Sequence, residues 1–451
     1  MTWRAGRRRA LVGTDAGTRS PDPEAWMLEP QSAALFVLLI AMFGVLVWRT
    51  LAARRIAVRV LAACLAFVPA MTFGVLAVNK YYGYYQTWGS MVADLTHQDA
   101  GAASAVPEVD FARPQAGTLD GSHAHLTLAE RQGYLVRLMV TGHRSHLTRA
   151  VYVYLPPQYF QRSFRAYRFP VIELIHGQPG EPQDWISVVG VTRAFGRLLA
   201  DGHARPAVLV MPDANGGDKI SLQCLDQAGG PQDLTYLAVD LPGQLARTLR
   251  VRAPGTGWGV AGYSEGGFCA ANMALRFPRR YGAAGVLSGY FAPLGNRLAA
   301  SGPLVSPFGG SSELRERNTP LDEVRALPAG TVIPAFWLGA GAADREAVAD
   351  AETFRQVLLP RQGRVPLTLT PGGGHTMTTW RAELPPLLAW MTPRLAQPPA
   401  GSAIMATPTS RKPILAYTRA TASSLADRKT VATPRSRASL ASRAVTAAPR
   451  P

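Results

Sequence analysis

The sequence predicts an α/β chain: a mostly parallel sheet of eight strands with helices on both faces, preceded by two helices of membrane length. Three observations carry this. Two apolar stretches lie within the first 80 residues; eight short β-branched runs alternate with helical patterns between about residues 129 and 396; and a Gly-x-Ser-x-Gly turn joins one run directly to a helix.

Composition bounds the rest. Over 451 residues, 47% are hydrophobic and 17% charged, which excludes a wholly disordered chain and leaves ample length for a core. Three cysteines exclude a disulfide-dense scaffold and any Cys-rich zinc module. Of the net +17, the last 55 residues carry a large share: nine Arg or Lys from Arg411 to Arg450 face one acid, Asp427. That stretch is rich in Ala, Ser, Thr and Pro, has no apolar period, and reads as a disordered basic tail. Its basic residues do not alternate with aromatics, so no nucleic-acid partner is expected; an anionic surface is the better functional reading, beside a solvated tail with no partner.

Residues 32–48 (SAALFVLLIAMFGVLVW) carry no charge and, as a helix, cover about 25 Å. Residues 56–78 carry only Arg59, close enough to the end to snorkel. Two such segments fit a pair of spans better than one cleaved signal peptide; a buried soluble hairpin is the alternative. Arg49, Arg54 and Arg55 in the short connection place it in the cytoplasm and both ends outside, although Arg4, Arg7, Arg8 and Arg9 pull the other way unless Met27 is the true start. The expected division is an N-terminal segment (1–31), two transmembrane helices (32–79), a linker (80–128), a catalytic α/β domain (129–396) and the tail (397–451). Tyr81, Tyr82, Tyr84, Tyr85 and Trp88 open the linker as an interfacial aromatic belt. The chain is thus expected at the cell membrane as a multi-pass protein with its catalytic domain outside.

Strands are expected at 134–140, 150–155, 171–175, 207–211, 258–261, 283–287, 332–338 and 365–370. Helices are expected at 192–200, 236–251, 265–277, 346–359 and 377–391. In a parallel sheet of this kind the ligand site lies at the carboxyl ends of the strands. Three ends carry chemistry. Ser264, in Gly262-Tyr263-Ser264-Glu265-Gly266, sits where a strand turns sharply into a helix, so its hydroxyl stands clear at a helix N-terminus. His375, after Gly372-Gly373-Gly374, follows the last strand on a flexible loop and can serve as the base that a serine hydroxyl needs. Asp344 follows the seventh run and can accept from the second ring nitrogen; its bland role is a helix N-cap. Glu346 is the rival acid and Asp350 a distant one. For the oxyanion, the backbone N–H of Glu265 and that of Gln178 are the expected donors, since Pro179 has none and Gly177 allows close approach; His176 would orient that loop.

These residues resemble the α/β-hydrolase superfamily and, within it, the esterase group that includes esterase D and the mycolyltransferases of the antigen 85 complex. The resemblance lies in VIELIHGQPG, VLVMPDANGG, WGVAGYSEGGFCAANMALRFPRRYGAAGVLSGYF and the final GGGH, with the anchored arrangement of an actinobacterial-type membrane member. It implies an α/β-hydrolase fold and a Ser–acid–His triad on Ser264, Asp344 and His375. Antigen 85 members use a glutamate as the acid, which keeps Glu346 open, and they lack the two spans and the basic tail.

Cys224 and Cys269 either pair in an oxidising exterior or remain two buried thiols; no distance is legible. Asp213 and Asp218 alone do not make a metal site, so no metal and no cofactor is expected. The leading expectation is a membrane-anchored, extracytoplasmic serine esterase acting on a small-molecule or lipid ester. An acyltransferase passing the acyl group to a sugar or lipid hydroxyl shares the same residues, and a catalytically silent envelope binding module is the reading of another class. The segment 290–327, rich in Gly, Pro and Ser, reads as pocket cover. The oligomeric state is not legible.

Overall fold

The computed structural model describes residues 28–85, 87–88, 91–92, 108–110, 131–216, 221–294, 307–328 and 330–395. The N-terminal segment up to residue 27, most of the expected linker and the basic tail lie outside them.

Two helices come first, α1 (Ala33–Ala52) and α2 (Ile56–Tyr82). The start of α1 meets the end of α2: Leu35 and Leu39 pack on Leu76, Phe36 meets Phe73 edge-on at 5.2 Å, and Lys80 lies 5.0 Å above the Phe36 ring. The pair is therefore an antiparallel hairpin. Its outer surfaces are apolar and uncovered, with Val37, Trp48, Leu51, Ile56, Phe67 and Met71 all exposed. A core hairpin of a soluble domain would be sheathed by protein, so these faces suit lipid. Arg59 donates through Nε to the Thr50 carbonyl at 3.1 Å, drawing its charge to the arginine-rich end.

The sheet contains the eight expected strands and a ninth, short one at the edge: β1 (Glu108–Asp110), β2 (Tyr134–Thr141), β3 (Thr148–Leu155), β4 (Val171–Ile175), β5 (Val208–Pro212), β6 (Trp258–Tyr263), β7 (Ala283–Leu287), β8 (Ala335–Gly341) and β9 (Leu367–Thr370). Their spatial order is β1-β2-β3-β5-β4-β6-β7-β8-β9. Among the described strands only β2–β3 and β3–β5 pair antiparallel. The expected start of β8 at 332 gives way to Ala335, because Pro334 has no N–H to offer the ladder.

Alternation along the strands loads both faces. In β4, Val171 and Ile175 enter one core with Val208, Val260 and Phe268, while Ile172 and Leu174 enter the other with Leu209, Trp185 and Phe195. Helices α4 (Leu241–Thr248), α5 (Glu265–Arg276) and α6 (Arg345–Gln362) cover the first face; α3 (Val191–Ala200) and α7 (Met377–Leu395) cover the second. The single helix expected over 236–251 is interrupted. Pro242 cannot donate to the Ala238 carbonyl, and residues Tyr236–Asp240 form a wider π turn in which Leu241 N–H reaches the Tyr236 carbonyl.

Candidate active site

β4 lies between β5 and β6, so the chain switches direction of winding there and opens a crevice at the carboxyl ends of β4 and β6. Ser264 stands in it. Its backbone is forced to φ 55° and ψ −121°, a conformation costly for a residue with a Cβ. The neighbours make it attainable: a methyl on Gly262 would collide with the Gly266 carbonyl, and one on Gly266 with the carbonyls of Ile175 and His176. Ser264 N–H donates to the Leu287 carbonyl at 2.9 Å, and its carbonyl accepts from Gly267 N–H at 2.9 Å, fixing the turn to β7 and to the first turn of α5.

Three sequence-predicted side chains meet at this point. His375 Nε2 is 2.8 Å from Ser264 Oγ, and His375 Nδ1 is 2.7 Å from Asp344 Oδ2. The imidazole thus bridges hydroxyl and carboxylate, with Nδ1–H donating to the acid and Nε2 accepting from the hydroxyl. The ring is braced edge-on against Trp380 at 5.1 Å; Trp380 stacks on Tyr263 at 4.5 Å, and Tyr263 leans on Trp185 at 4.9 Å. Burial pulls the Asp344 carboxyl upward, but the hydrogen bond and charge of His375 and the Ala347 N–H outweigh it, holding the group below its ordinary value. Asp344 also fills the role of N-cap, accepting from Ala347 N–H at 3.4 Å. Glu346 is exposed on the first turn of α6, whereas the bond to His375 Nδ1 is made by Asp344.

The second expected donor lies on the loop after β4. A Cβ on Gly177 would stand 2.8 Å from the Tyr263 ring and 3.2 Å from Ser264 Cβ, so this loop crosses directly over Ser264. The Gln178–Pro179 peptide is cis. His176 is buried; its Nε2 accepts from Ala214 N–H at 3.1 Å, which leaves Nδ1–H to donate to the Gly177 carbonyl at 2.8 Å. Burial lowers its pKa and keeps it neutral, suited to holding the loop. Glu265 opens α5, so its N–H faces the helix N-terminus beside Ser264.

Sequence reasoning missed the braces. Asn215 Nδ2 donates to Gln178 Oε1 at 2.7 Å, tying the loop after β5 to the loop after β4. The Glu265 side chain is buried on the Ser221 hydroxyl, and burial, opposed by Ser221 and Asn215, pushes its carboxyl up to about 7. Position within the PDANGG segment is the one signal that pointed to Asn215. Asp213 accepts from the N–H groups of Asn215 and Gly216 at 3.0 and 2.7 Å, an Asx turn; Asp218 lies outside the described residues. Among the described residues no three His, Cys, Asp or Glu side chains gather to hold a metal. Cys224 and Cys269 are joined in a disulfide with Cα atoms 5.6 Å apart, anchoring the segment after Ser221 to α5. Of the cover segment, helices Ser312–Arg317 and Pro320–Ala326 are described, and Leu294 exchanges two hydrogen bonds with the Gln223 amide.

Comparison with known proteins places this geometry. A family model described as "Putative esterase" matches residues 144–391. An uncharacterised protein of Corynebacterium glutamicum is 26% identical over 386 residues, covering 83% of each chain. Among solved structures, a ferulic acid esterase is 21% identical with a TM-score of 0.51, covering 59% of this chain and 99% of its own. An S-formylglutathione hydrolase from Agrobacterium tumefaciens is 18% identical with a TM-score of 0.47, covering 59% and 97%. The first of these structures shares the α/β-hydrolase fold with this chain.

Proposed function

The chain belongs to the "Putative esterase" family, and we propose that it is a membrane-anchored serine esterase with its catalytic domain outside the cell. Ser264 Oγ attacks the ester carbonyl while His375 Nε2 takes its proton; Asp344 holds the imidazole in the required tautomer and stabilises the imidazolium. The carbonyl oxygen, now negative, receives hydrogen bonds from the N–H groups of Glu265 and Gln178 at the positive end of α5. His375 returns the proton to the departing alkoxide, leaving an acyl group on Ser264. Water, giving a proton to the same histidine, attacks the acyl carbon; the histidine passes that proton to Ser264 Oγ as the acyl–serine bond breaks, and the acid is released. The observation that carries this reading is the unbroken hydrogen-bonded line Ser264–His375–Asp344.

The arrangement outside the cell is supported by the arginines at the turn of the hairpin and by the Cys224–Cys269 disulfide, a bond that persists in oxidising compartments. Two measurements test the proposal. p-Nitrophenyl ester turnover should vanish in Ser264→Ala, with product analysis in trehalose or glycerol separating hydrolysis from acyl transfer. External protease on intact cells should cut the domain; a protected domain reverses the topology.

A further inference from the structure

The exit of the hairpin docks directly on the catalytic domain. α2 ends at Tyr82 and is capped by Gly83, whose N–H donates to the Asn79 carbonyl at 2.7 Å. The Asn79 side chain then clamps the exit, donating to the Tyr85 carbonyl at 2.9 Å and accepting from Tyr85 N–H at 2.8 Å. Gln31, at the head of α1, donates to the same carbonyl at 3.0 Å. Gly83 and Tyr84, expected in a linker, instead touch the start of α7 and the loop after β4. A Cβ on Gly83 would stand 2.7 Å from Thr378 Oγ1, three residues past His375. The Tyr84 hydroxyl donates to the Pro179 carbonyl at 3.0 Å, next to Gln178, and its ring packs with the core that holds Tyr263 and Trp185.

Both contacts are at the carboxyl end of the sheet, the end that carries Ser264. The aromatic residues that mark headgroup depth, Tyr81 and Tyr82, are the last turn of α2. From Lys80 to Tyr84 two steps are helical and two are not, so the chain rises by about 10 Å at most. Through these two contacts the edge bearing Ser264 docks on the end of α2 and so faces the membrane surface, whatever the length of the chain that follows.

Resting on the serine-esterase reading above, we infer that the substrate is an ester on a membrane-resident amphiphile, presented to Ser264 from the leaflet at which the hairpin ends. A water-soluble ester gains nothing from this placement. A lipid ester does, because its carbonyl lies at headgroup depth and need not leave the bilayer completely.

The test uses the full chain in phosphatidylglycerol–phosphatidylethanolamine vesicles. A fluorogenic long-chain acylglycerol in the bilayer and p-nitrophenyl acetate in the water are the two substrates. A Gly/Ser spacer of about ten residues between Gly83 and Tyr84 adds roughly 17 Å of slack. It should lower turnover of the bilayer ester at least ten-fold and leave p-nitrophenyl acetate within two-fold. As a readout independent of turnover, a fluorescent fluorophosphonate on Ser264 should be quenched by headgroup-nitroxide lipids in the wild type and lose most of that quenching in the spacer chain. Unchanged turnover of the bilayer ester in the spacer chain, or a labelled Ser264 that headgroup nitroxides do not quench, overturns the inference. A wild type in which Ser264 does not label at all overturns the esterase reading itself, and the inference with it.

Discussion

One oxygen of Asp344 accepts from His375 Nδ1 at 2.7 Å while the other accepts from the Ala347 N–H in the first turn of α6, so a single carboxylate both holds the imidazole and caps a helix. The two roles separate by mutation. Asp344→Asn keeps an oxygen for the cap but can present an N–H to the imidazole, favouring the wrong tautomer. Ester turnover should fall by about 10³–10⁴-fold with little change in melting temperature. Asp344→Ala should lose the same activity and about 1 kcal/mol of stability besides. Glu346→Gln should stay within two-fold of wild type; a large loss there, with Asp344→Asn active, would exchange the two acids.

Gly177 is the position where the loop after β4 clears Ser264. In Gly177→Ala the new methyl meets the Tyr263 ring, which cannot retreat between Trp185 and Trp380. The loop must lift, carrying the Gln178 N–H from the oxyanion. A misplacement near 1 Å costs about 10²-fold, so kcat should fall by about that factor with KM changed less. Stopped-flow acylation at saturating substrate measures it; wild-type kcat would remove the loop from the oxyanion site.

Buried acids bias the pH dependence of stability, Glu173, Glu383 and Glu265 among them; Glu323, raised to about 7, and Asp233, raised to about 6, act in the same direction. Burial pushes Glu173 and Glu383 up to about 8 and Glu265 up to about 7, against an ordinary 4.5. Below 4.5 all three are protonated in both folded and unfolded chains and impose no penalty. As pH rises from 4.5 toward 8 the unfolded chain releases protons that the folded one retains, so stability is lost across that window. Melting of the domain should therefore fall from pH 5 to pH 8. Glu173→Gln, which keeps a partner for the Tyr281 hydroxyl, should raise the melting temperature at pH 8, by roughly 2–4 °C per kcal/mol recovered, and change it little at pH 5. Equal shifts at both pH values would contradict this.

The Cys224–Cys269 bridge closes a sequence separation of 45 residues and ends on α5 about one turn beyond Ser264. Chain entropy alone assigns such a loop about 4 kcal/mol. Intact mass should rise by two hydrogens on reduction, and the Cys224→Ser/Cys269→Ser double variant should melt well below wild type. Two free thiols before reduction would contradict the pairing.

Much of this was legible in the sequence because the signals were local. The alternation in Val171–Ile175 and the run through Trp258–Tyr263 mark strands buried on both faces, and the glycines around Ser264 mark a turn that few other residues permit. Ser264, Asp344 and His375 each follow a strand, so the parallel topology brings them to one edge. What stayed hidden depends on partners distant in sequence. Glu173 inside β4 gives no sign of its burial beside Tyr281, and Asn215 none of its bond to Gln178. Tyr84 looked like one aromatic of an interfacial belt; its bond to Pro179 spans 95 residues. β1, three residues long, has no period to detect.

The most direct measurement is fluorophosphonate labelling of the full chain in its native membranes, read by mass spectrometry. Wild type should carry one adduct, on the peptide containing Ser264, formed far more slowly in His375→Ala and absent in Ser264→Ala. An unlabelled wild type, or undiminished labelling of Ser264→Ala, would contradict Ser264 as the nucleophile.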